Sequence, residues 1–388
     1  MANSASTPLL PDKDSHIVEA DGLHHNYHSS LPHREYNNDL PAVDKECLEE
    51  LRKAGIIAKP TIMYDESSPV AALTAFGGTA LKTVLLRPDF YLIMLVHIVL
   101  SYLYYDVWHN PVIPAASTGQ EQPWPFISAA TIAIPGSMIV FFLVFHTSQA
   151  YTRFFTQYLA YRGIEGKISR IASELRTNLP DGSFPEARVE RLKIARWLLS
   201  FLYLGLANLP QYKDNGVLDW AWKQVLQLEL LTEKEENKLK ALPKGQSHAK
   251  ELMSWISQKL YRLEKDGRID AFCQNGLLSQ LYDAGSGLSL LKNHVVMPVP
   301  FAFFHLQNFI LIIYLLLLAY TYTMFARYWS ILAMFLTCLS LLGLRELACA
   351  LSDPFGNDDT DLPIFDYVIE IHAFISTFVS MPGLEKDE

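Results

Sequence analysis

The chain has 388 residues, a formal net charge of −9 and a mean hydropathy of +0.12, and half of its residues are hydrophobic. The acidic surplus argues against nucleic acid as a partner, because binding to phosphates needs clustered Lys and Arg. The four Cys are far apart and form no C-x-x-C pair, so the sequence indicates neither a disulfide scaffold nor a zinc site.

Residues 1–66 predict a disordered, acidic N-terminal tail. They contain 12 acidic and 6 basic residues and almost no apolar run, a composition that cannot bury enough apolar surface to fold. Several His residues are scattered through the tail, and solvation explains them better than a metal site does. The first residues fit neither a signal peptide nor a transit peptide, so we expect the N-terminus to be retained.

Four apolar stretches are long enough to cross a bilayer, which needs about 20 helical residues. They lie at about 89–108, 126–148, 295–325 and 328–350. The third belongs to a run from Val295 to Ala326 that contains no Asp, Glu, Lys or Arg. The sequence therefore predicts an all-α, multi-pass membrane protein with four spanning helices.

Basic residues near the span ends predict the orientation. The segment 109–125, between the first two spans, has no Lys or Arg. Basic residues instead precede the first span, at Lys82 and Arg87, and follow the second from Arg153 onward. Because cytoplasmic loops carry the excess of Lys and Arg, we expect both termini on the cytoplasmic side.

The region between the second and third spans predicts cytosolic helices within residues 150–294. Apolar residues have helical spacing at Ile164–Leu175 and again at Arg188–Leu209, where the apolar run is too short to span and indicates a buried helix. Thr232 and Glu235 have the spacing of a capping box at the start of a polar helix.

The second span carries an aromatic stripe. Ser137, Phe141 and Phe145 recur every four residues, which places them on one face of a helix. Such a stripe usually packs between helices, and spacing alone favours that interpretation over a functional one.

Prolines interrupt two of the spans. Pro135 with Gly136 lies in the second span, and Pro298 and Pro300 lie near the start of the third. Proline frees a carbonyl and often breaks a helix, and non-helical backbone within a membrane is tolerated against protein or beside a water-filled cavity. Broken helices are common in ion-conducting proteins, although a simple kink at the interface needs no function.

An acidic loop follows the fourth span. Its carboxylates lie at Asp353, Asp358, Asp359 and Asp361, on a loop that also contains Pro and Gly. They offer the oxygen ligands that Ca²⁺ prefers, but their spacing does not fit an EF-hand. From these residues a solvated turn and a divalent-cation site are equally open. Since no catalytic motif occurs in the membrane segments, we do not expect an enzyme.

Two stretches resemble the bestrophin family. Phe145–Phe155 is similar to the family's segment at the end of the second helix, with Phe154 and Phe155 where the family has two Trp. Leu344–Pro363 resembles the Asn/Asp-Pro-Phe-Gly motif with its acidic tail. The similarity runs from Leu85 to Phe378 with the same four-span layout.

The resemblance implies a channel domain at 67–378, followed by a C-terminal tail at 379–388. Bestrophins are pentameric anion channels, so it also implies a homopentamer around one axial pore, embedded in a lipid bilayer. The expected function is a passive chloride channel, and the sequence leaves bicarbonate and nitrate open as permeant anions. We expect the plasma membrane or an endomembrane, and the absence of a transit peptide disfavours a thylakoid.

The family's hydrophobic neck is lined by one face of the second helix. The matching positions are Phe145, Phe141 and Ser137. Ser137 departs from the bulky aliphatic residue usual there, which widens one ring of the neck or moves the constriction to Ile134. A second, cytosolic aperture matches Phe272 when residues are counted back from Pro300.

The family's calcium clasp, known in animal members, also has matching positions. They are the side chains of Asp358 and Asp361 with the carbonyls of Ala350 and Asp353. The following Asp-Leu-Pro-Ile is closer to bacterial and plant members, in which calcium dependence is less general, so calcium modulation is a secondary expectation.

Two alternatives are a secondary transporter and a non-conducting membrane scaffold. A transporter normally carries inverted repeats and a buried ionisable residue at mid-membrane. The spans here contain His97 and His305 but no mid-span acid, which counts against a transporter.

Overall fold

The computed structural model describes residues 52–53, 78–112, 125, 127, 129–213, 216–243, 245–297, 299–355 and 360–381. Within these residues all regular structure is helical. Labelled in chain order, the helices are α1 (Ala80–Leu85), α2 (Pro88–Tyr102), α3 (Ala129–Asn178), α4 (Ala187–Ala207), α5 (Pro210–Lys213), α6 (Val217–Gln227), α7 (Glu233–Lys240), α8 (His248–Lys265), α9 (Ala271–Val296), α10 (Phe301–Phe325), α11 (Trp329–Ser352) and α12 (Ile364–Ser380).

Four helices are long and apolar enough to cross a membrane, as predicted. They are α2 with its π-helical continuation Leu103–Val107, α3, α10 and α11. Each has at least the roughly 20 residues that a hydrocarbon core about 30 Å thick requires. The chain is therefore an integral, multi-pass membrane protein.

Helix α3 extends far beyond the predicted second span. Its 50 residues measure about 75 Å at the α-helical rise, so it leaves the membrane and continues to Asn178 instead of ending near residue 148. The sequence contains no strong breaker between Gly136 and Pro180, and the predicted helix at Ile164–Leu175 is the last part of α3. The helix also continues through Pro135 without a break.

A break between two helices occurs at Pro300, and Pro298 lies outside the described residues. Helix α9 ends at Val296 and α10 begins at Phe301, so the third span starts six residues later than predicted. Pro300 is the N-cap of α10, a position near the helix start where a missing N–H is tolerated. Arg153 of α3 donates to the carbonyls of Met297, at 2.7 Å, and His294, and so satisfies the end of α9.

Two hydrophobic cores hold the helices together. The membrane core is formed by α1, α2, the first part of α3, α10 and α11. The cytosolic core surrounds α4, which packs against α6, α8 and α12 and is buried at every residue from Ile194 to Ala207. The predicted buried helix at Arg188–Leu209 is thus confirmed.

A capping box begins α7, as predicted. The Glu235 N–H donates to the Thr232 hydroxyl at 3.4 Å, and the Thr232 N–H donates to the Glu235 carboxylate at 2.8 Å. The predicted tail at 1–66 lies outside the described residues except for Arg52 and Lys53, and Arg52 forms an ion pair with Asp366 of α12.

Candidate functional site

The predicted neck residues lie on one face of α3 that no other described helix covers. Ile134 is 68% exposed, Phe141 66% and Phe145 46%, and Ser137 is also exposed. The opposite side of the helix is buried, with Leu143 fully enclosed. One face of the second span thus packs against the rest of the chain. The predicted face remains exposed and can contact lipid, water or another chain.

The two phenylalanines of this face form a continuous aromatic surface. The rings of Phe141 and Phe145 are stacked, with centroids 6.4 Å apart and an interplanar angle of 18°. They are one helical turn apart, so each projects from its own level along the helix. Spacing and structure agree on the arrangement, and the role of the face in conduction remains a prediction.

Ser137 is at the edge of the face. Its hydroxyl donates to the carbonyl of Ile134 at 2.8 Å. It also lines a cavity of about 470 Å³ between α3, α10 and α11. Gly136 borders the same cavity, and the absence of a side chain there lets the Tyr314 hydroxyl approach the α3 backbone.

A buried histidine lies directly behind Phe145. His146 is 3% exposed, and its ring contacts the edge of Phe303 with centroids 5.8 Å apart. Neither ring nitrogen has a hydrogen-bond partner among the described residues, and the same holds for both amide atoms of Gln307, one turn along α10 from Phe303. Buried polar groups normally have a hydrogen-bond partner, so His146 and Gln307 form a polar position behind the predicted neck.

The aromatic surface of α3 continues outside the membrane. Tyr151 is 59% exposed and Phe155 47%, and their rings stack with centroids 6.4 Å apart. Leu159, one turn further, is 52% exposed. About 20 residues of helix cross the hydrocarbon core, so Tyr151 lies close to its edge and Phe155 and Leu159 lie further along the helix, beyond it.

The predicted aperture residue is the most exposed aromatic side chain among those described. Phe272 is 90% exposed and is the second residue of α9. Asp270 caps this helix by accepting from the Cys273 N–H at 2.6 Å. Burial, together with the charges of Asp270 and Glu174, raises the pKa of the Cys273 thiol to about 11.

Sequence reasoning missed an ion network at the membrane core. Glu346 of α11 accepts from Arg87 at 2.6 Å and from Arg345 at 2.5 Å. Arg87 also pairs with Asp89 at the start of α2, and Arg345 donates to Asn308 of α10. The network connects α2, α10 and α11, and its contact between Arg87 and Glu346 joins residues 259 positions apart, so no local pattern could reveal it.

The acidic loop is partly described. Asp358 lies outside the described residues, and Ala350 lies in the last turn of α11. The Asp353 carboxylate accepts from Gln211 at 3.0 Å, and the Leu362 N–H donates to the Pro354 carbonyl at 3.0 Å, which closes the loop.

Asp361 lies buried at the end of this loop, at 5% exposure. Burial and the charges of Asp361 and Asp353 raise the pKa of the nearby Tyr212. Asp353 and Asp361, two of the predicted calcium positions, thus both act on the same side chain, Tyr212. Within the described residues, three or more His, Cys, Asp or Glu side chains do not cluster as a metal site.

The chain is similar to known proteins over most of its length. A family model described as Bacterial/Fungal Bestrophin protein matches residues 62–376. The chain is 22% identical to a voltage-dependent anion channel-forming protein of Synechocystis sp., with 71% of this chain and 90% of that protein covered. It is 26% identical to the voltage-dependent anion channel-forming protein YneE of Salmonella typhimurium, with 61% and 71% covered.

The fold has solved counterparts. A bacterial bestrophin homolog from Klebsiella pneumoniae superposes with a TM-score of 0.61 at 18% identity, covering 75% of this chain and 97% of that one. This likeness concerns the fold alone, and the family match covers most of the sequence. The chain belongs to the bestrophin family.

Proposed function

We propose that the chain is one subunit of a homopentameric, passive anion channel with a single axial pore. The observation that carries this proposal is the uncovered face of α3, where Phe141 and Phe145 stack inside the membrane segment. The names of the relatives from Synechocystis and Salmonella support anions as the transported class. In this proposal catalysis has no part, because flow follows the electrochemical gradient.

The proposed neck consists of Phe141 and Phe145, with Ile134 and Ser137 towards the other end of the membrane segment. An aromatic ring has a positive edge, so edges that point at the axis tolerate a partly dehydrated anion without binding it tightly. An apolar ring of side chains also gates by dewetting. The proposed neck therefore needs no Lys or Arg, and chloride passes without a fixed binding site.

The oligomer is supported by the exposed residues outside the bilayer. Tyr151, Phe155 and Leu159 form an apolar surface that water would contact in an isolated subunit. Surfaces of this kind mark protein interfaces. In the proposed pentamer the same helix lines the axis in the membrane and meets neighbouring subunits below it, where Phe272 contributes the cytosolic aperture.

Calcium modulation is the second part of the proposal. The side chains of Asp358 and Asp361 with the carbonyls of Ala350 and Asp353 would supply hard oxygen ligands. The carboxylate of Asp361 is buried, and the charges of Asp361 and Asp353 both raise the pKa of Tyr212, which supports a cation there because calcium prefers carboxylate oxygens. The ion would brace α11 against the cytosolic core and takes no part in conduction itself.

Recording from the purified full chain in a planar bilayer tests the proposal. Under a chloride gradient we expect unitary currents that reverse near the chloride equilibrium potential. Stoichiometric coupling to a second ion would identify a transporter, and electrical silence of correctly folded protein would identify a scaffold. A series with bicarbonate and nitrate ranks the permeant anions, and localisation of tagged protein distinguishes the plasma membrane from an endomembrane.

A further inference from the structure

A single basic residue marks the side of the membrane away from the cytosolic helices. Between Arg87 and Arg153 the sequence has no Lys or Arg, and between Lys292 and Arg345 it has only Arg327. Arg327 lies in the short connection between α10 and α11. The segments that join the spans on this side thus carry one positive charge, at a defined place.

The backbone of Arg327 adopts a conformation that favours glycine. Its φ is 46°, in the left-handed region that is strained for residues with a Cβ. The Arg327 N–H donates to the Tyr105 hydroxyl at 3.2 Å, and its carbonyl accepts from the Ser330 hydroxyl. His97 of α2 contacts the same hydroxyl at 3.1 Å. Because strain of this kind is retained at functional sites, the identity of the side chain requires an explanation.

The guanidinium of Arg327 is framed by aromatic rings and has no acceptor among the described residues. It lies 5.9 Å from the centroid of the Tyr105 ring and 5.7 Å from that of Tyr328. The nearby carboxylate of Asp106 accepts from the Tyr328 hydroxyl instead. The side-chain N–H donors of Arg327 therefore have no protein acceptor within the part of the chain that the structure describes.

Exposed aromatic residues occur at the adjacent ends of the membrane helices, near the end of α2 and at the start of α11. Tyr102 is 56% exposed, Trp108 50%, Tyr328 45% and Trp329 79%. Tyr and Trp collect at the level of lipid headgroups, where one part of the ring is apolar and the other wet. Arg327 therefore lies at the depth of the headgroup phosphates.

We propose that Arg327, framed by Tyr105 and Tyr328, is a binding site for the phosphate of a phospholipid headgroup. The planar guanidinium presents donors in a fork that matches two phosphate oxygens. Free phosphate shares this chemistry, but the surrounding aromatic residues favour the lipid as its source. The lipid would fix the α10–α11 connection against the end of α2.

Native mass spectrometry of the purified full chain with phosphatidylglycerol tests the site. Arg327→Asn removes the charge, and Asn tolerates the left-handed backbone. We expect about tenfold weaker binding of phosphatidylglycerol by this variant, from the loss of charged hydrogen bonds. The control Lys238→Gln removes one charge from exposed α7 and should bind as the unchanged protein does. Equal affinity of Arg327→Asn and the unchanged protein would overturn the proposal.

Thermal unfolding separates binding from a merely structural role. Arg327→Gly relieves the strained backbone, so without lipid its Tm should be no lower than that of the unchanged protein, whereas the rise in Tm on adding phosphatidylglycerol should be lost. If the Gly variant instead unfolds earlier and keeps the lipid-dependent rise, Arg327 is structural. A rise of the same size with diacylglycerol or with inorganic phosphate would also contradict a lipid phosphate as the ligand.

Discussion

The two halves of α3 expose similar aromatic side chains to different solvents. Phe141, in the membrane half, and Tyr151, in the cytosolic half, are 66% and 59% exposed. Exposing an apolar ring to lipid costs little free energy. The exposure of Phe141 is therefore compatible with a contact to lipid, a contact to another subunit or a pore lining. In water each exposed apolar Å² costs about 25 cal/mol, so a protein partner that covers Tyr151, Phe155 and Leu159 would be favourable. The cytosolic half therefore argues for assembly, and only the membrane half can argue for conduction.

The cytosolic core and the membrane core also differ in where their charged residues lie. The cytosolic core fully buries Arg191, which donates to the carbonyls of Leu179 at 2.6 Å and Val379 at 3.0 Å and to Asp181 at 2.9 Å. The membrane core has its charges at the helix ends, around Glu346. Charge thus lies inside the cytosolic core, where it joins α4 to its neighbours, whereas in the membrane core it lies near the ends of the helices.

The largest effect is expected in the cytosolic core. Arg191→Ala removes one partner of a buried ion pair and leaves two carbonyls and Asp181 without their donor, which should cost about 3–5 kcal/mol of stability. Arg170→Ala on α3 is the matched control, because its pair with Glu174 is exposed and should contribute about 0–1 kcal/mol. Thermal unfolding in detergent measures both. Equal losses would show that the cytosolic core does not depend on the buried charge.

Assembly should depend on the cytosolic half of α3. Replacing Tyr151 and Phe155 together by Ser removes the proposed contact surface, and loss of about 3 kcal/mol at each interface would weaken association about a hundredfold. Size-exclusion chromatography with light scattering should then find smaller species. Val189→Ser, at an exposed position on α4, should leave the assembly unchanged. A pentamer that persists in the double variant would show that the subunit interface does not depend on Tyr151 and Phe155.

Conduction should depend on the membrane half. Phe141→Ala and Phe145→Ala each widen the neck and reduce its dewetting, so unitary chloride current should rise severalfold and gating should weaken. Val140→Ala changes an exposed residue that lines the cavity beside α10, and should leave the current as it was. Unchanged current in both Phe variants would restore packing as the better interpretation of the stripe.

Calcium binding should depend on the acidic loop. Asp361→Asn removes one proposed ligand charge, and since ligand charge sets affinity, binding of ⁴⁵Ca²⁺ should fall about tenfold or more. Asp283→Asn breaks only an exposed pair with Lys167 and serves as the control. If the two variants bind calcium equally, the loop is a solvated turn.

The last prediction concerns the reactivity of the thiol beside the proposed aperture. Because the pKa of Cys273 is raised to about 11, the thiol is protonated at neutral pH and the reactive thiolate is scarce. In a variant with Cys273 as its single cysteine, alkylation by iodoacetamide should accelerate about tenfold per pH unit from pH 7 to 10. A rate that levels off near pH 9, as for glutathione, would mean that its surroundings do not raise the pKa of Cys273.

Hydropathy and local patterns predicted much of this architecture. The four spans, the buried α4 and the capping box at Thr232 follow from composition and spacing. The continuation of α3 to Asn178 was not predicted, because leaving the membrane changes the solvent without adding a helix breaker. Pro135 lies within a continuous helix, whereas Pro300 is the N-cap of α10. The sequence predicted a break at both prolines and could not distinguish them.

The candidate site was predicted less completely. Helical spacing places Phe141 and Phe145 on one face, and the structure agrees, but only packing could show that this face is uncovered. The ion network at Glu346 and the burial of His146 depend on contacts between distant segments. Arg327 was visible as a lone basic residue, while its strained backbone and aromatic frame were not.

Accessibility of the α3 face during conduction tests the central claim most directly. In a background without native cysteines, Phe145→Cys and the control Val140→Cys can be exposed to a negatively charged methanethiosulfonate reagent during recording. We predict that chloride current through the Phe145→Cys channel falls irreversibly, while the Val140→Cys channel is unaffected. Current that persists after complete labelling of Cys at position 145 would contradict a pore lined by this face of α3.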